Sequence, residues 1–215
     1  MNQLKSLGIH DSWHNDFDPI FKSKDMAKVI NTYKSSTIPV YPDIYRVFKA
    51  FQLPKDQVRL VVLGQDPYPD GRATGLAFAV GREQKVPLSL QIIKREIFKD
   101  YGITEAPFDN TLTHWINQGI LLLNSSLTVP HGKPGEHSNL WRPIIHSMIA
   151  LISFELDPTW LLIGGEAAKF ESAIKYSEKH NYKIVKRSHP AAERYGHAFN
   201  GFVDEINNYV KIHWI

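Results

Sequence analysis

The sequence predicts an α/β fold, a single domain over residues 1–215 with a central four-stranded parallel sheet flanked by helices. Four short apolar runs carry this reading: Arg59–Leu63, Gly119–Asn124, Thr159–Gly165 and Tyr182–Arg187. They are continuous rather than alternating, the pattern of strands covered on both faces. Segments with apolar residues at helical spacing separate them, and strands alternating with helices build a parallel sheet. Each run ends in a distinctive polar or glycine group, which puts those groups at one edge of the sheet.

Taken in order, residues 1–22 mix aromatic, acidic and Pro residues, including Trp13, Phe17 and Phe21, and read as a short helix or an irregular packing segment. Ser23–Tyr33 has helical spacing behind a Ser or Asp cap. Pro39 and Pro42 punctuate the chain, and Ile44, Val47, Phe48 and Phe51 mark a second amphipathic helix that Pro54 ends. After the first strand, Pro67 and Pro69 fix φ twice and remove two donors, so the loop continues neither as helix nor as ladder. Asp66 and Tyr68 are thereby held at the carboxyl end of a strand, where open parallel sheets bind ligands. The glycines of Asp70–Gly75 suggest a close-packed turn, and Leu76–Val80 a short extended piece. Lys85–Ser89 feeds a helix with Leu90, Ile93, Ile97 and Phe98 inward and Tyr101-Gly102 as its stop. Ser89 reads as its cap, a plain one or one that leaves N–H groups free for an anion. Leu112, Trp115 and Ile116 mark a short helix, and Val129–His137 is a Gly/Pro loop too long for a plain connection. Further helices are expected over 140–155, with Pro143 in the first turn, from Glu166 to about His180, and from Ala198 to Ile212.

Composition narrows the class. The chain has no cysteine, which excludes a disulfide framework, a thiol nucleophile and a Cys-based zinc site. No apolar run approaches the ~20 residues that span a bilayer, and the polar start Met1–Lys5 lacks a signal-peptide core, so a cytoplasmic protein is expected. The net charge of +3 permits contact with a polyanion without demanding it, so any such contact is local and shaped. The glycine fingerprint of dinucleotide folds, the phosphate loop of NTPases and a Gly-x-Ser-x-Gly elbow are all absent.

The strand ends carry the chemistry. They bring Asp66 with Tyr68, Asn124, Gly164-Gly165 and His189 to one edge. An amide presents a donor beside an acceptor, the pattern that reads a planar amide-like edge such as a nucleobase. A carboxylate can steady a cationic centre or position a water, and an imidazole can donate to a developing oxyanion. Taken singly, each has a bland reading: a strand-to-loop turn, a satisfied core histidine, a glycine corner. A metal reading draws on His131, His137, His189 and Asp66, but their spacing matches no metal signature, and solvated loop histidines fit better.

These residues resemble family 1 uracil-DNA glycosylases. Gly64-Gln65-Asp66-Pro67-Tyr68, Gly75-Leu76-Ala77-Phe78, Leu121-Leu122-Leu123-Asn124, His137, Leu162-Ile163-Gly164 and His189-Pro190 occur in that family's order and approximate spacing, from about Tyr41 to Trp214. The resemblance implies a four-stranded parallel sheet and a monofunctional enzyme. It would flip deoxyuridine out of DNA, hydrolyse the N-glycosidic bond and leave an abasic site, with no metal, cofactor or covalent intermediate. Carried over, Asp66 would orient the attacking water and stabilise the sugar cation, and His189 would donate, neutral, to uracil O2. Phe78 would stack on the base, Asn124 would pair with its N3–H and O4 edge, Tyr68 would occupy the space of a thymine methyl, and backbone at Gln65 would close the pocket. Pro87, Ser89, Gly165, Ala191, Arg194 and Tyr195 fall at DNA-contact positions. Expected partners are uracil-containing DNA, a proteinaceous inhibitor or a replication partner, and a monomer is expected.

The departures from the family pattern concentrate on DNA grip. Pro69 stands where the family has a histidine that helps hold the water, Pro87 is one proline where several are common, and Gly165 replaces a phosphate-binding Ser. The family's wedge leucine aligns with Glu193 in His189-Pro190-Ala191-Ala192-Glu193-Arg194-Tyr195, and poxviral members share this His-Pro-Ala-Ala start. Arg194 or Tyr195 is expected to fill the gap by stacking or a phosphate contact. The rival readings are a glycosylase for another modified base, a DNA-binding or processivity subunit with secondary catalysis, and a sensor that binds uracil-containing DNA.

Overall fold

The computed structural model describes residues 3–174 and 183–215. Along the chain, α1 (Gln3–Ser6), α2 (His14–Phe21) and α3 (Lys24–Ser35) lead into β1 (Val40–Tyr41) and β2 (Leu60–Gly64). There follow α4 (Leu88–Asp100), α5 (Thr113–Ile116), β3 (Ile120–Asn124), β4 (Val129–Pro130), α6 (Ser138–Glu155) and β5 (Thr159–Ile163). α7 (Gly165–Ala168), β6 (Ile184–Arg187) and α8 (Phe202–Asn207) complete the set.

The main sheet runs β3-β2-β5-β6 with every pair parallel, so the predicted α/β class and strand count hold. All residues of β2, β3 and β5 are buried, as continuous apolar runs require, while β6 at the edge is partly exposed. The register sets Gly64 beside Asn124 and Ile163 beside Arg187, which aligns the carboxyl ends. A second, two-residue antiparallel ribbon joins β1 to β4. It is too short to leave a periodicity in the sequence. Among the described residues no helix is long and apolar enough to cross a membrane.

The N-terminal segment packs as its aromatic content suggests. Trp13 and Phe17 are fully buried and stacked, and the Trp13 indole donates to the Leu53 carbonyl at 2.8 Å. Ser23 caps α3 by accepting from the Met26 N–H.

Several expected elements come out differently. Ile44–Phe51 forms two 3₁₀ turns, Ile44–Arg46 and Lys49–Gln52, instead of an amphipathic α-helix. Gly75 packs so closely on the first of these that backbone contact replaces a continuous helical face. Leu76–Val80 forms no strand of its own; Ala77 donates to the Leu122 carbonyl of β3, Val80 donates to that of Asn110, and Phe78 between them has φ +65°. α6 starts at Ser138, so Pro143 lies in its second turn, where it cannot donate to the Asn139 carbonyl. The helix expected from Glu166 is reduced to α7 and a 3₁₀ turn at Glu171–Ala173, and the expected stretch at 175–180 lies outside the described residues, as does Tyr182. The last helix is only Phe202–Asn207. Arg187 occupies the carbonyls of Asn200 and Gly201 ahead of it, and Gly201 enters at φ +64°.

Gly75 gives a sharp test of this packing. At φ +88° a Cβ there would lie 1.9 Å from the Arg46 carbonyl oxygen, whereas at Gly102, φ +66°, it would meet nothing within 4 Å. Gly75→Ala is expected to cost roughly 3 kcal/mol or more, strain plus clash, against about 1 kcal/mol for Gly102→Ala, strain alone. Urea unfolding midpoints check this, and equal losses for the two variants would refute the close approach.

Candidate active site

A cavity of about 210 Å³ opens at the carboxyl ends of the strands, lined by Gln65, Asp66, Pro67, Tyr68, Pro69, Phe78, Ser89, Asn124, Pro134 and His189. Residues predicted from three separate strand ends thus meet in one place. Sheet register and missing side chains make this possible. A Cβ on Gly64 would lie 2.7 Å from Asn124 Oδ1 and 3.1 Å from the Phe78 ring, so only glycine lets the amide and the ring converge. Asn124 and Phe78 are both buried.

The Tyr68 hydroxyl donates to the Phe78 carbonyl at 3.0 Å. Its single proton being committed there, Ser89 Oγ, also at 3.0 Å, donates to the Tyr68 oxygen. Burial pushes the Tyr68 pKa up to about 12, so the phenol is a neutral, immobile wall. This corrects the reading of Ser89 as a helix cap. Pro87 occupies the cap position of α4, and Ser89 is buried with its hydroxyl paired to the Tyr68 oxygen.

Asp66 Oδ2 accepts the Gly135 N–H at 2.6 Å. Burial raises the Asp66 pKa, the Gly135 N–H pulls it back, and the charge of Glu166 pushes it further up. The loop that supplies Gly135 is docked a second time, Gly132 donating to the Pro69 carbonyl at 2.9 Å. The Gln65 carbonyl is held by Ser125 Oγ at 2.7 Å and the Ser126 N–H at 3.0 Å. Pro134, Gly135, Ser125 and Gly64 are site residues that side-chain chemistry alone did not single out. The one signal for the first two was the unusual length of the Gly/Pro loop.

His189 caps the 3₁₀ turn Pro190–Tyr195, its Nδ1 accepting the Ala191 N–H at 3.2 Å. That bond selects the tautomer with the proton on Nε2, which leaves Nε2–H as the donor. Burial lowers the His189 pKa and the Arg194 charge lowers it further, so the ring is neutral near pH 7. Gly164, at φ +90°, leaves room for it: a Cβ there would come within 3.3 Å of His189 Cβ.

The remaining predicted contacts do not line the cavity. Gly165 begins α7 with open space where a side chain would stand, and Ala191 lies in the 3₁₀ turn. Arg194 sits 4.7 Å over the Tyr195 ring, and Tyr195 is 70% exposed. His137 is buried, its Nδ1 paired with Thr128 Oγ1, which also accepts from the Trp141 indole. His131 is exposed and packs edge-on to Tyr41. Among the described residues no group of three or more His, Cys, Asp or Glu is placed to hold a metal ion.

Chemically, the cavity offers a planar aromatic face, an amide that donates and accepts, a neutral imidazole donor and one carboxylate. It suits a flat heterocycle with an amide edge. The family model described as the uracil DNA glycosylase superfamily matches residues 51–211. The chain is 35% identical to a uracil-DNA glycosylase of Amoebophilus asiaticus, over 96% of both chains, and 34% identical to one of Borrelia turicatae, over 91% of this chain and 88% of that one. It superposes on the crystal structure of mimivirus uracil-DNA glycosylase with a TM-score of 0.79 at 25% identity, covering 87% of this chain and 71% of that one. A variant of mimivirus UNG in complex with UGI is similar at a TM-score of 0.78 and 26% identity, covering 87% and 72%. Strand order, cavity and sequence matches agree: the chain belongs to the uracil DNA glycosylase superfamily.

Proposed function

We propose that this chain, acting as one domain over residues 1–215, releases uracil from DNA by hydrolysing the N-glycosidic bond of a flipped deoxyuridine. The observation that carries the reading is the convergence of Asp66, Phe78, Asn124 and His189 in one cavity walled by Tyr68. A base inside a duplex cannot reach such a cavity, so the nucleotide must leave the stack. Phe78 stacks on the ring. Asn124 accepts from N3–H and donates to O4, a pattern cytosine reverses. Tyr68 stands where a 5-methyl would go, held there by Ser89 and the Phe78 carbonyl.

The bond breaks towards an oxocarbenium-like sugar and a uracil anion. Asp66, ionised and held on one oxygen by Gly135, faces the positive charge and orients water with the other oxygen. His189 donates Nε2–H to O2 as negative charge collects on the base. A neutral donor suits this role, since the departing anion needs a hydrogen bond but no complete proton transfer. The reading assigns no step to a metal ion or cofactor. On this reading Gly165, Ala191 and Pro87 would meet backbone phosphates, and the exposed Arg194–Tyr195 pair offers a cation and a stacking face. With no apolar wedge, a single strand is the better substrate. A relative crystallised with UGI supports a protein inhibitor as a partner for the same cleft. The reading places the protein in the cytoplasm as a monomer, which fractionation and sizing would test.

Base release from an oligonucleotide with one deoxyuridine, with EDTA present, tests the reading. Uracil release is expected from both strand forms, faster from the single strand, and lowered roughly 10³-fold by Asp66→Asn. Asn124→Asp is expected to gain cytosine release. No release from either form by folded, DNA-binding protein would favour the binding-subunit reading instead.

Burial raises the Asp66 pKa above its unfolded value, so between the two values the native chain binds more protons than the unfolded one. Stability therefore falls as pH rises through that window. Asp66→Asn, which removes the buried charge and keeps an acceptor for Gly135, is expected to raise the thermal midpoint at neutral pH even as it slows uracil release. A lowered midpoint would contradict the desolvation argument.

Glu166 raises the Asp66 pKa from outside the cavity. Glu166→Gln is expected to move the acid limb of the pH–rate profile to lower pH. An unmoved limb would mean that it does not report Asp66.

A further inference from the structure

We propose that Arg95 is a positioning residue for this reaction, holding the His189 turn against α4 through Glu193. The inference rests on the glycosylase reading. His189 follows the carboxyl end of β6, which among the described residues is an edge strand paired only with β5. The turn that follows it, Pro190–Tyr195, is a six-residue 3₁₀ helix, a geometry with poor hydrogen bonds. Its base is tied down: Ser188 Oγ donates to the Ala198 carbonyl, and Arg187 donates to those of Asn200 and Gly201.

The far end is held differently. Both Glu193 carboxylate oxygens lie close to Arg95 Nη2, at 2.6 and 2.8 Å. A second carboxylate aligns the guanidinium, since Glu96 Oε1 accepts from Arg95 Nε at 3.2 Å and Nη2 at 3.0 Å. An exposed ion pair alone adds little order. Here the Glu96 side chain is 6% exposed and that of Glu193 25%, so the guanidinium is oriented from a buried group on α4. The α4 helix is anchored by buried Leu90, Ile93 and Ile97.

Glu193 holds the position where a wedge side chain would project into DNA, yet it turns back to the helix. It acts as an anchor. Releasing it lets the turn shift, and the Ala191 N–H that sets the His189 tautomer shifts with it. Small displacements of a group that must meet a leaving atom cost rate more than binding.

The test is single-turnover uracil release from a single-stranded oligonucleotide at saturating enzyme, for Glu193→Ala, Arg95→Gln and the double variant, each also in a His189→Ala background. Glu193→Ala leaves the Arg95–Glu96 pair intact, and thermal midpoints confirm that each variant folds. Hydrogen exchange over 189–197 in the free protein gives a readout independent of activity. Both single variants are expected to slow bond cleavage roughly tenfold with the half-saturating enzyme concentration unchanged. The double variant should be no slower, exchange at Ala191 should quicken, and no variant should slow His189→Ala further. The inference is overturned by a parental rate and parental exchange in Glu193→Ala. It is equally overturned by an Arg95→Gln defect confined to half-saturation and salt dependence, which would mark a phosphate contact. The same loss of rate in the His189→Ala background would mark a general structural role and also overturn it. A parent that releases no uracil would remove the glycosylase reading, while the exchange data would still decide whether Arg95 holds the turn.

Discussion

The structure depends on one constraint: a parallel strand covered on both faces has no room for a polar side chain except at its end. β2, β3 and β5 are buried throughout, and, Thr159 at the start of β5 apart, they are apolar until Gly64, Asn124 and Gly164. The polar chemistry is thereby driven to the carboxyl edge, and the register decides which groups meet there. Gly64 pairs with Asn124, so the amide stands beside the point where Gln65 and Asp66 leave the sheet. Ile163 pairs with Arg187 and Gly164 donates to the Arg187 carbonyl at 2.8 Å, so His189 follows directly beside Gly164. A one-residue slip in either pair would carry these groups apart.

The same burial that assembles the cavity sets its electrostatics. Desolvation is the leading cause of three shifts: Asp66 upward, Tyr68 upward and His189 downward. On the glycosylase reading, two of these favour the neutral form that the chemistry would use, a phenol wall and an imidazole donor. The third works against that reading's demand that Asp66 carry its charge. The Gly135 N–H partly offsets that cost, which explains why a Gly/Pro loop is brought across the cavity mouth and docked again at Pro69. A stretch that would otherwise be surface connection becomes part of the carboxylate's solvation.

Much of this was legible in the sequence because it rests on side-chain type and position. The four apolar runs announced the sheet, and Asp66, Tyr68, Phe78, Asn124 and His189 are residues read from the sequence that line one cavity. What escaped was written in the backbone. The absence of Cβ at Gly64 and Gly164, the N–H of Gly135 and the carbonyl of Gln65 have no side-chain signature. The two-residue ribbon of β1 and β4 is shorter than any periodicity can report. Local propensity also misled where tertiary contacts decide conformation. Gly75 packs on Arg46 where an amphipathic pattern breaks into 3₁₀ turns, and Arg187 holds the carbonyls just ahead of the last helix. Ser89 shows the same competition at one residue, where its bond to the Tyr68 phenol outweighs the usual preference for capping.

Ser89 and Glu193 share a feature that bears on how the enzyme meets DNA. The family resemblance would have each reach outward to DNA, and each instead turns inward to α4 or to its neighbour in the cavity wall. α4 thus joins two halves of the site: its first turn supports Tyr68 through Ser89, and its middle supports the His189 turn through Arg95. Both contacts brace the cavity wall and the His189 turn rather than reaching outward. On the glycosylase reading, the flipped nucleotide itself must then supply more of the binding than the flanking duplex does. A substrate whose base is already unstacked requires no wedge to make that exchange favourable.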